Sequence, residues 1–537
     1  MSFSLGTPRR RGFAVALAAA AALALSACAG GSGAAPSTEP PADSGAEIEN
    51  VTVAFPGSLA NLYIGTESGI LNYYLASAVQ EGLVGIDPEG KVVPALAESW
   101  ETPDTTTYVF EVRQDAKFQN GEPVTADDIV FSLEQARSAE ASPGINYYLS
   151  NLDTVAKTGE HQVTVTTLAP DPAFLKTMSS AGAAVITQQA FWEEHEGSIG
   201  TSQSLILGTG PYKVTDFQPD SHVTLERVDT WWGGVPKAKQ IEISFIPDEN
   251  TRLLATQKGD IDIAFSVPLK QAEQWQKISD GRVESVNDLS YVGLLFDQTV
   301  APFDDVNVRK AISSAVDRDA IVEKLLRGYG EPANAIMTPE SLAAVHDGDA
   351  ARKLLADVQP PQFDLKQAEQ FLSESSVPEG FALELTYPNS GPQLGTAAQS
   401  LAENLGPLGI DVKVREVPLE EWLATIGDGE HGLSYMWYFS TTGDPAEISS
   451  YLLGEANPNM YDDPKVLDLL AQSNAAASAE ERVNLLLQVE QENADQVINA
   501  PLWWGQSLTY FSNAVGVKTF SPYTFIGSWG AELYAAK

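Results

Sequence analysis

Cys28 is the only cysteine in 537 residues, so no disulfide can close a loop within this chain. The fold has to hold itself together by burying apolar surface. A chain of this length can do that, because the buried fraction rises with size, and the length suggests two to four domains. The place of Cys28 is as informative as its solitude. Arg9, Arg10 and Arg11 are followed by Phe13 to Leu25, nearly all Ala, Val and Leu. A basic segment, a short apolar segment and small residues before a cleavage point make a secretory signal. The apolar run falls short of the roughly 20 residues that a membrane span needs. Residues 1–27 therefore read as a signal peptide, and the folded mass is expected outside the cytoplasm.

Leu25-Ser26-Ala27-Cys28 resembles the lipobox of bacterial lipoproteins. The resemblance implies that Cys28 becomes the mature N-terminus and carries acyl chains. Arg10-Arg11-Gly12-Phe13 partly resembles a twin-arginine signal, although the general secretory route explains the same residues with fewer demands. Residues 28–47 follow as a linker: Ala29 to Glu47 is Gly, Ser, Ala, Pro and acids, a composition that cannot bury a core. Folded structure is expected from about Ile48.

The formal net charge is −40, from 72 acids against 32 bases, and cleavage after residue 27 removes three arginines and no acid. Such a chain will not bind nucleic acid by neutralising phosphates. An anionic membrane repels it too, so lipid on Cys28 must hold it there. Each buried methylene contributes about 0.8 kcal/mol, and stable anchoring takes more than one chain.

Strand and helix patterns interleave throughout, which gives an α/β class. Val51 to Phe55, Tyr108 to Val112, Val163 to Leu168, Tyr212 to Phe217, Val223 to Arg227, Ile241 to Ile246 and Ile261 to Phe265 read as strands. Helical spacing covers Leu71 to Leu83, Arg252 to Gly259 and Asn307 to Arg327. Thr125 caps a helix with acids in its first turn and Ile129, Leu133 and Ala136 on its apolar face; Asp364 caps another. Phe381 to Tyr387, Ala397 to Leu408 and Ile410 to Val417 form a strand–helix–strand resembling a parallel crossover. Ser478-Ala479-Glu480-Glu481 is a capping box opening a helix through Ile498. No fixed-period repeat is present.

No motif supports catalysis. Gly85 to Lys91 matches most of a phosphate loop, but Val92 stands where Ser or Thr should hold magnesium, and the setting is strand–turn–strand. The five histidines, at 161, 195, 222, 346 and 431, are scattered, and neither a metal spacing nor a GxSxG elbow occurs. No cofactor or metal is expected. The aromatic clusters Trp231-Trp232, Trp437-Tyr438-Phe439 and Leu502-Trp503-Trp504 suit either core packing or the wall of a ligand cleft.

Four long stretches coincide with one family: Glu81-Gly82-Leu83-Val84 through Pro94-Ala95-Leu96-Ala97-Glu98-Ser99-Trp100; Phe118-Gln119-Asn120-Gly121-Glu122-Pro123-Val124-Thr125-Ala126-Asp127-Asp128; Gly208-Thr209-Gly210-Pro211-Tyr212; and Pro302-Phe303-Asp304-Asp305-Val306-Asn307-Val308-Arg309-Lys310-Ala311. From residue 48 onward the chain resembles the solute-binding proteins of bacterial ABC importers that include the oligopeptide-, dipeptide- and nickel-binding proteins (solute-binding family 5). The resemblance implies a two-lobed periplasmic-binding-protein fold, type II, in its large three-subdomain variant. Lobe I would use 48–85, 208–288 and 506–537, with an inserted subdomain at 86–207, and lobe II would be 289–505. Two crossings, near 287–295 and 499–507, would form the hinge. It also implies a monomer with no enzymatic activity, tethered to the outer face of the cell membrane. Such a receptor would close on a peptide or small solute and be recognised by ABC importer permease subunits.

In peptide-binding members a Trp of the second lobe is followed three residues later by an Asp that pairs with the ligand's α-ammonium. Here Trp437 matches the Trp, but Ser440 replaces the Asp, and the nearest downstream acid is Asp444. Trp437, Tyr438, Ser440, Asp444, Trp504, Glu67 and Tyr73 are the candidate ligand-binding residues. The neutral Ser440 keeps a non-peptide solute open: a nickel chelate, an opine or an oligosaccharide. An exported hydrolase using cleft carboxylates, or a surface chaperone or adhesin, is a further alternative without motif support.

Overall fold

The computed structural model describes residues 41–389, 391–426, 432–455 and 457–537. Cys28, the signal segment and residues 28–40 of the expected linker lie outside the described residues, as does His431. Residues 43–537 form one unit. Its backbone is a nine-stranded mixed sheet. Across it run Leu433–Phe439, Gly281–Phe296, Asn499–Ser512, Ile263–Ala264, Val51–Phe55, Gln240–Phe245, His222–Arg227 and Tyr212–Gln218, with Glu331–Pro332 paired alongside Asn499–Ser512. Val51–Phe55 lies parallel to both its neighbours.

Gly281–Phe296 and Asn499–Ser512 run antiparallel through the middle. Their register is regular from Gly281↔Ser512 to Asn287↔Gln506, shifts before Tyr291↔Trp504, and shifts again between Val292↔Trp503 and Gly293↔Pro501. Gly505 sits at the first shift, where a Cβ would stand 1.9 Å from Ser290 Oγ and 2.8 Å from Asp288 Oδ1. A bulge of this kind bends the strands and locally increases their twist. Buried apolar groups divide on either side. One core gathers Val51, Phe55, Leu75, Phe217, Ile243 and Trp529. Beyond the shift, Leu294, Ile312, Leu385 and Leu401 form a second core, and Leu295, Ile336, Leu452 and Leu486 a third.

The family-like stretches serve as structural clasps. Gln119 Nε2 donates to the carbonyls of Val79, Gly210 and Tyr212 at 2.8, 3.3 and 2.6 Å, and its Oε1 accepts from the Gly208 amide at 3.0 Å. Gly208 is glycine because a Cβ would meet the Val79 carbonyl oxygen at 2.1 Å. The Arg309 guanidinium, buried, is met by the carbonyls of Phe303, Asp304, Gln496 and Val497. Gly85 to Lys91 is a hairpin turn between Val84–Ile86 and Val92–Pro94, with Asp87 Oδ1 accepting from the amides of Glu89 and Lys91. No phosphate cradle opens a helix there.

Thr125 and Asp128 form a reciprocal capping box on Ala126–Ala136, and Asp364 caps Leu365–Ser373. The strands Ala382–Pro388 and Asp411–Val417 are parallel, joined by the helix Pro392–Leu405. Four expectations change. The helix expected to reach Leu83 ends at Val79, where Gln80 turns extended. The helix expected over 307–327 is broken: Val306–Ser314 ends at Ala315, and Asp317 caps a new short turn by accepting from the Ala320 amide at 2.9 Å. Glu481 does not bond back to the Ser478 amide but reaches that of Ala477 at 3.0 Å. Residues 43–47, read as linker, are docked. The Ser44 amide bonds the Ala535 carbonyl at 2.8 Å, and Glu47 pairs with Arg227 at 2.7 Å.

Candidate functional site

Where Leu433–Phe439 ends, the Ser440 amide donates to the Leu289 carbonyl at 3.1 Å, fastening the strand end to the bulge. The chain turns through Ser440 to Asp444 and enters the helix Glu447–Leu453. Gly443 takes φ +62°, and a Cβ there would stand 2.4 Å from the Tyr523 hydroxyl, so the turn requires glycine.

Glu447, in the first turn of that helix, is the centre of the site. Ser440 Oγ donates to it at 2.5 Å, Tyr438 Oη at 3.2 Å, and the amides of Thr441 and Thr442 at 3.3 and 3.2 Å. Thr442 Oγ1 donates as well. Burial pushes its carboxyl up from the ordinary value, and the hydroxyls of Ser440 and Thr442 pull the other way. Sequence reading missed Glu447, since an acid in a first helical turn has a sufficient explanation in the helix dipole. In space its carboxylate is bonded to Ser440 Oγ, seven residues earlier in the chain.

The other side of the molecule closes on this turn. Tyr148, from the 3-10 turn Asn146–Leu149, donates to Glu447 Oε1 at 3.4 Å and pairs with Thr441 Oγ1 at 2.9 Å. Lys176 Nζ donates to the Gly443 carbonyl at 3.3 Å. The Tyr147 ring lies tilted against Tyr148 with centroids 4.2 Å apart, and the Tyr451 ring centroid lies 5.5 Å from that of Tyr438. Tyr73 is 4% exposed, with its hydroxyl beside that of Tyr148 and within reach of the Glu447 charge. Burial raises the phenols of Tyr73, Tyr148 and Tyr438 far above their usual range, and the Glu447 charge adds to it.

The seven candidates thus separate. Tyr438, Ser440 and Tyr73 meet around Glu447. Asp444 is adjacent but engaged: Arg482 grips it with two bonds, 2.6 and 2.8 Å, the side chains being 6% and 8% exposed. Burial would raise the Asp444 carboxyl, but the Arg482 guanidinium, with Lys176 and the Ala446 amide, holds it below its ordinary value. Side chains alternate along a strand, so Trp437 lies on the opposite face from Tyr438, against Phe439 at 5.5 Å and close to Gly391. Trp504 is a core residue, 6% exposed, with its indole N–H on the Ala335 carbonyl at 3.1 Å. Glu67 accepts from the amides of Ala60 and Asn61 at 2.9 and 2.6 Å and closes its own loop. Trp231 and Trp232 also have a structural role, both donating to the buried Glu81. Among the described residues no group of three or more His, Cys, Asp or Glu could hold a metal ion, and no helix is long and apolar enough to cross a membrane.

Residues 91–460 match the family model described as bacterial extracellular solute-binding proteins, family 5 Middle. The chain is 28% identical over 466 residues to a probable di/tripeptide-binding protein of Pseudomonas aeruginosa, covering 80% of this chain and 84% of that one. Among solved structures it resembles the AgaA binding protein of an Agrobacterium tumefaciens strain in complex with agropinic acid (TM-score 0.79, 24% identity, 91% of this chain and 99% of that one). It also resembles the oligopeptide-binding protein AppA of Bacillus subtilis in complex with a nonapeptide (TM-score 0.78, 20% identity, 93% and 100%). Its architecture is accordingly the two-lobed α/β periplasmic-binding fold, with two strands crossing between the lobes. With over half its length matched by the family model, the chain belongs to the bacterial extracellular solute-binding proteins of family 5.

Proposed function

We propose that this chain is a lipid-anchored extracytoplasmic receptor that captures a peptide or peptide-like small solute between its lobes and delivers it to an ABC importer. The observation that carries the reading is the buried polar cluster at Glu447, built by Tyr438, Ser440 and Thr442 from one lobe and met by Tyr73 and Tyr148 from the other. Groups from two bodies converging on one carboxylate suit a ligand enclosed by hinge closure. No covalent step is needed, and the receptor is not an enzyme. Lobe boundaries at 48–85, 208–288 and 506–537 against 289–505 are supported by the second and third cores, which fall within 289–505, while the inserted 86–207 shares the first core with lobe I. Anchoring rests on the lipobox-like run ending at Cys28 and places the protein on the outer face of the cell membrane as a monomer.

A solute other than a peptide is the second reading. It is favoured by Ser440 in place of an acid and by the agropinic acid complex of a structural relative. Thermal-shift measurements on the full chain decide between them, with di- and tripeptides, longer peptides, opines, oligosaccharides and nickel chelates. A ligand at 100 times its Kd stabilises the native state by about 2.7 kcal/mol. One class should raise the melting temperature, and a bound peptide should be recovered intact. A panel that shifts nothing, with no solute co-purifying, rejects the receptor reading; turnover of a bound peptide would instead restore the hydrolase.

A further inference from the structure

We propose that Glu331, held in place by Arg352, is the positioning residue of the hinge: its hydrogen bond to Asn287 spans the break between the two crossing strands and biases the lobes toward the closed angle. This inference rests on the receptor reading and adds to it a residue that acts through the lobe angle rather than by contact with the solute.

The crossing strands first lose their pairing between Asn287↔Gln506 and Tyr291↔Trp504, so that Asp288, Leu289 and Ser290 stand against Gly505 alone. The ladder is interrupted at such a bulge and the strands bend there. Asn287 and Gln506 belong to lobe I, Tyr291 and Trp504 to lobe II. Glu331 pairs with Trp504, which puts it on the lobe II side of the break. Its side chain nevertheless reaches back over the break. Asn287 Nδ2 donates to Glu331 Oε1 at 3.1 Å, and Asn287 Oδ1 accepts from Gln506 Nε2 at 2.6 Å. Both crossing strands are thus tied, through one carboxylate, to a point beyond the break.

The carboxylate is not free to follow Asn287. Arg352, in the helix Gly348–Leu355, donates from Nε to Glu331 Oε2 at 2.6 Å and from Nη2 to Glu340 Oε1 at 2.7 Å. Its Nη1 also meets the Gly348 carbonyl at 3.0 Å. Charge-assisted bonds from a planar fork fix direction as well as distance. An N–H···O bond is confined to about 2.7–3.2 Å. With Glu331 fixed to lobe II, a change of lobe angle therefore stretches or breaks the Asn287 bond. A bond made at one angle and lost at others shifts the population toward the first. That angle is the closed one, because Tyr148 meets Thr441 and Glu447 across the cleft in the same structure. Asp288 also staples the break, accepting from the Ser290 amide at 2.9 Å and from Ser507 Oγ, but these partners lie within the crossing strands themselves. The Glu331 bond is anchored outside them.

The test measures the lobe angle directly and needs no solute. Cys28→Ser, Glu160→Cys and Glu369→Cys put two spin labels at exposed positions of the full chain, one in the inserted segment and one in lobe II. Pulsed electron–electron resonance on protein stripped of solute by reversible unfolding in urea gives the populations of lobe angles, the separation in this structure marking the closed one. Asn287→Ala and Arg352→Met should each lower the ratio of closed to open by about threefold or more, the low end of what one hydrogen bond contributes. Both act through one bond, so the double variant should add little to the larger single effect. A ratio unchanged in both variants overturns the inference alone, and a lower melting temperature with that unchanged ratio assigns the contacts to stability only. A single separation in the wild type that neither variant alters overturns the inference and removes hinge closure from the receptor reading as well.

Discussion

Replacing Asp444 with Asn separates a ligand-binding role for this acid from a structural one. Its two oxygens hold Arg482 at 2.6 and 2.8 Å, both side chains nearly sealed from water. Arg482 Nε already lacks a partner. An amide turned toward the guanidinium keeps at most one of the two bonds and leaves a buried cation uncompensated, which costs about 3–5 kcal/mol. Asp444 also caps the turn through the Ala446 amide, a bond of about 1 kcal/mol that Asn can preserve. Urea unfolding followed by tryptophan fluorescence should show a lower midpoint at unchanged slope. The double variant Asp444→Asn/Arg482→Met should recover more than half of the loss, since no buried charge remains. The pair also has a pH signature. Because the folded carboxyl is depressed, its stabilisation is full above the ordinary value of 3.8 and is lost as pH falls through the lower folded value. An Asp444→Asn protein within about 1 kcal/mol of wild type in stability but tenfold weaker for its solute would refute the reasoning and return Asp444 to the binding site.

Glu81, buried beneath Trp231 and Trp232, is raised by burial from 4.5 to about 7, so its stabilising contribution is full below 4.5 and is lost as pH rises through 7. That interval corresponds to about 3 kcal/mol, and Glu81→Gln should flatten this part of a stability-versus-pH curve; an unchanged curve contradicts the assignment. Gly505→Ala drives a methyl group into Ser290 and Asp288 and should cost about 1–3 kcal/mol, read as a fall in urea midpoint. Cys28→Ser should move the protein from the membrane fraction to the medium with solute affinity unchanged; retention on the membrane would remove lipid from the account.

Much of the scaffold was legible because it rests on local rules. Thr125 and Asp364 cap helices as their side chains dictate, and the alternation in Phe381 to Tyr387 and Ile410 to Val417 marks strands of a parallel crossover. The break after Ala315 was not legible, because it depends on distant chain. Arg318, opening the new short turn, bonds the carbonyls of Pro501 and Pro361 at 2.7 and 3.2 Å. The docking of residues 43–47 depends on Arg227 and Ala535, which linker composition cannot reveal. In the site, Tyr438 and Ser440 were legible as neighbours of a cleft turn. Strand alternation sends Trp437 to the other face, and Trp504 satisfies its indole inside a core. Glu447 was hidden by its ordinary position at the start of a helix, and Tyr148 because the 3-10 turn Asn146–Leu149 has no periodic signature pointing at residue 447.

The central claim is that a small solute is held between the lobes at Glu447. Mass spectrometry of the solute released by denaturing full-length wild-type protein, beside Glu447→Gln prepared identically, tests it most directly. The account predicts a near-stoichiometric small molecule in the wild type and a clearly reduced load in the variant. An equal load in both proteins, or no solute in the wild type, would contradict it.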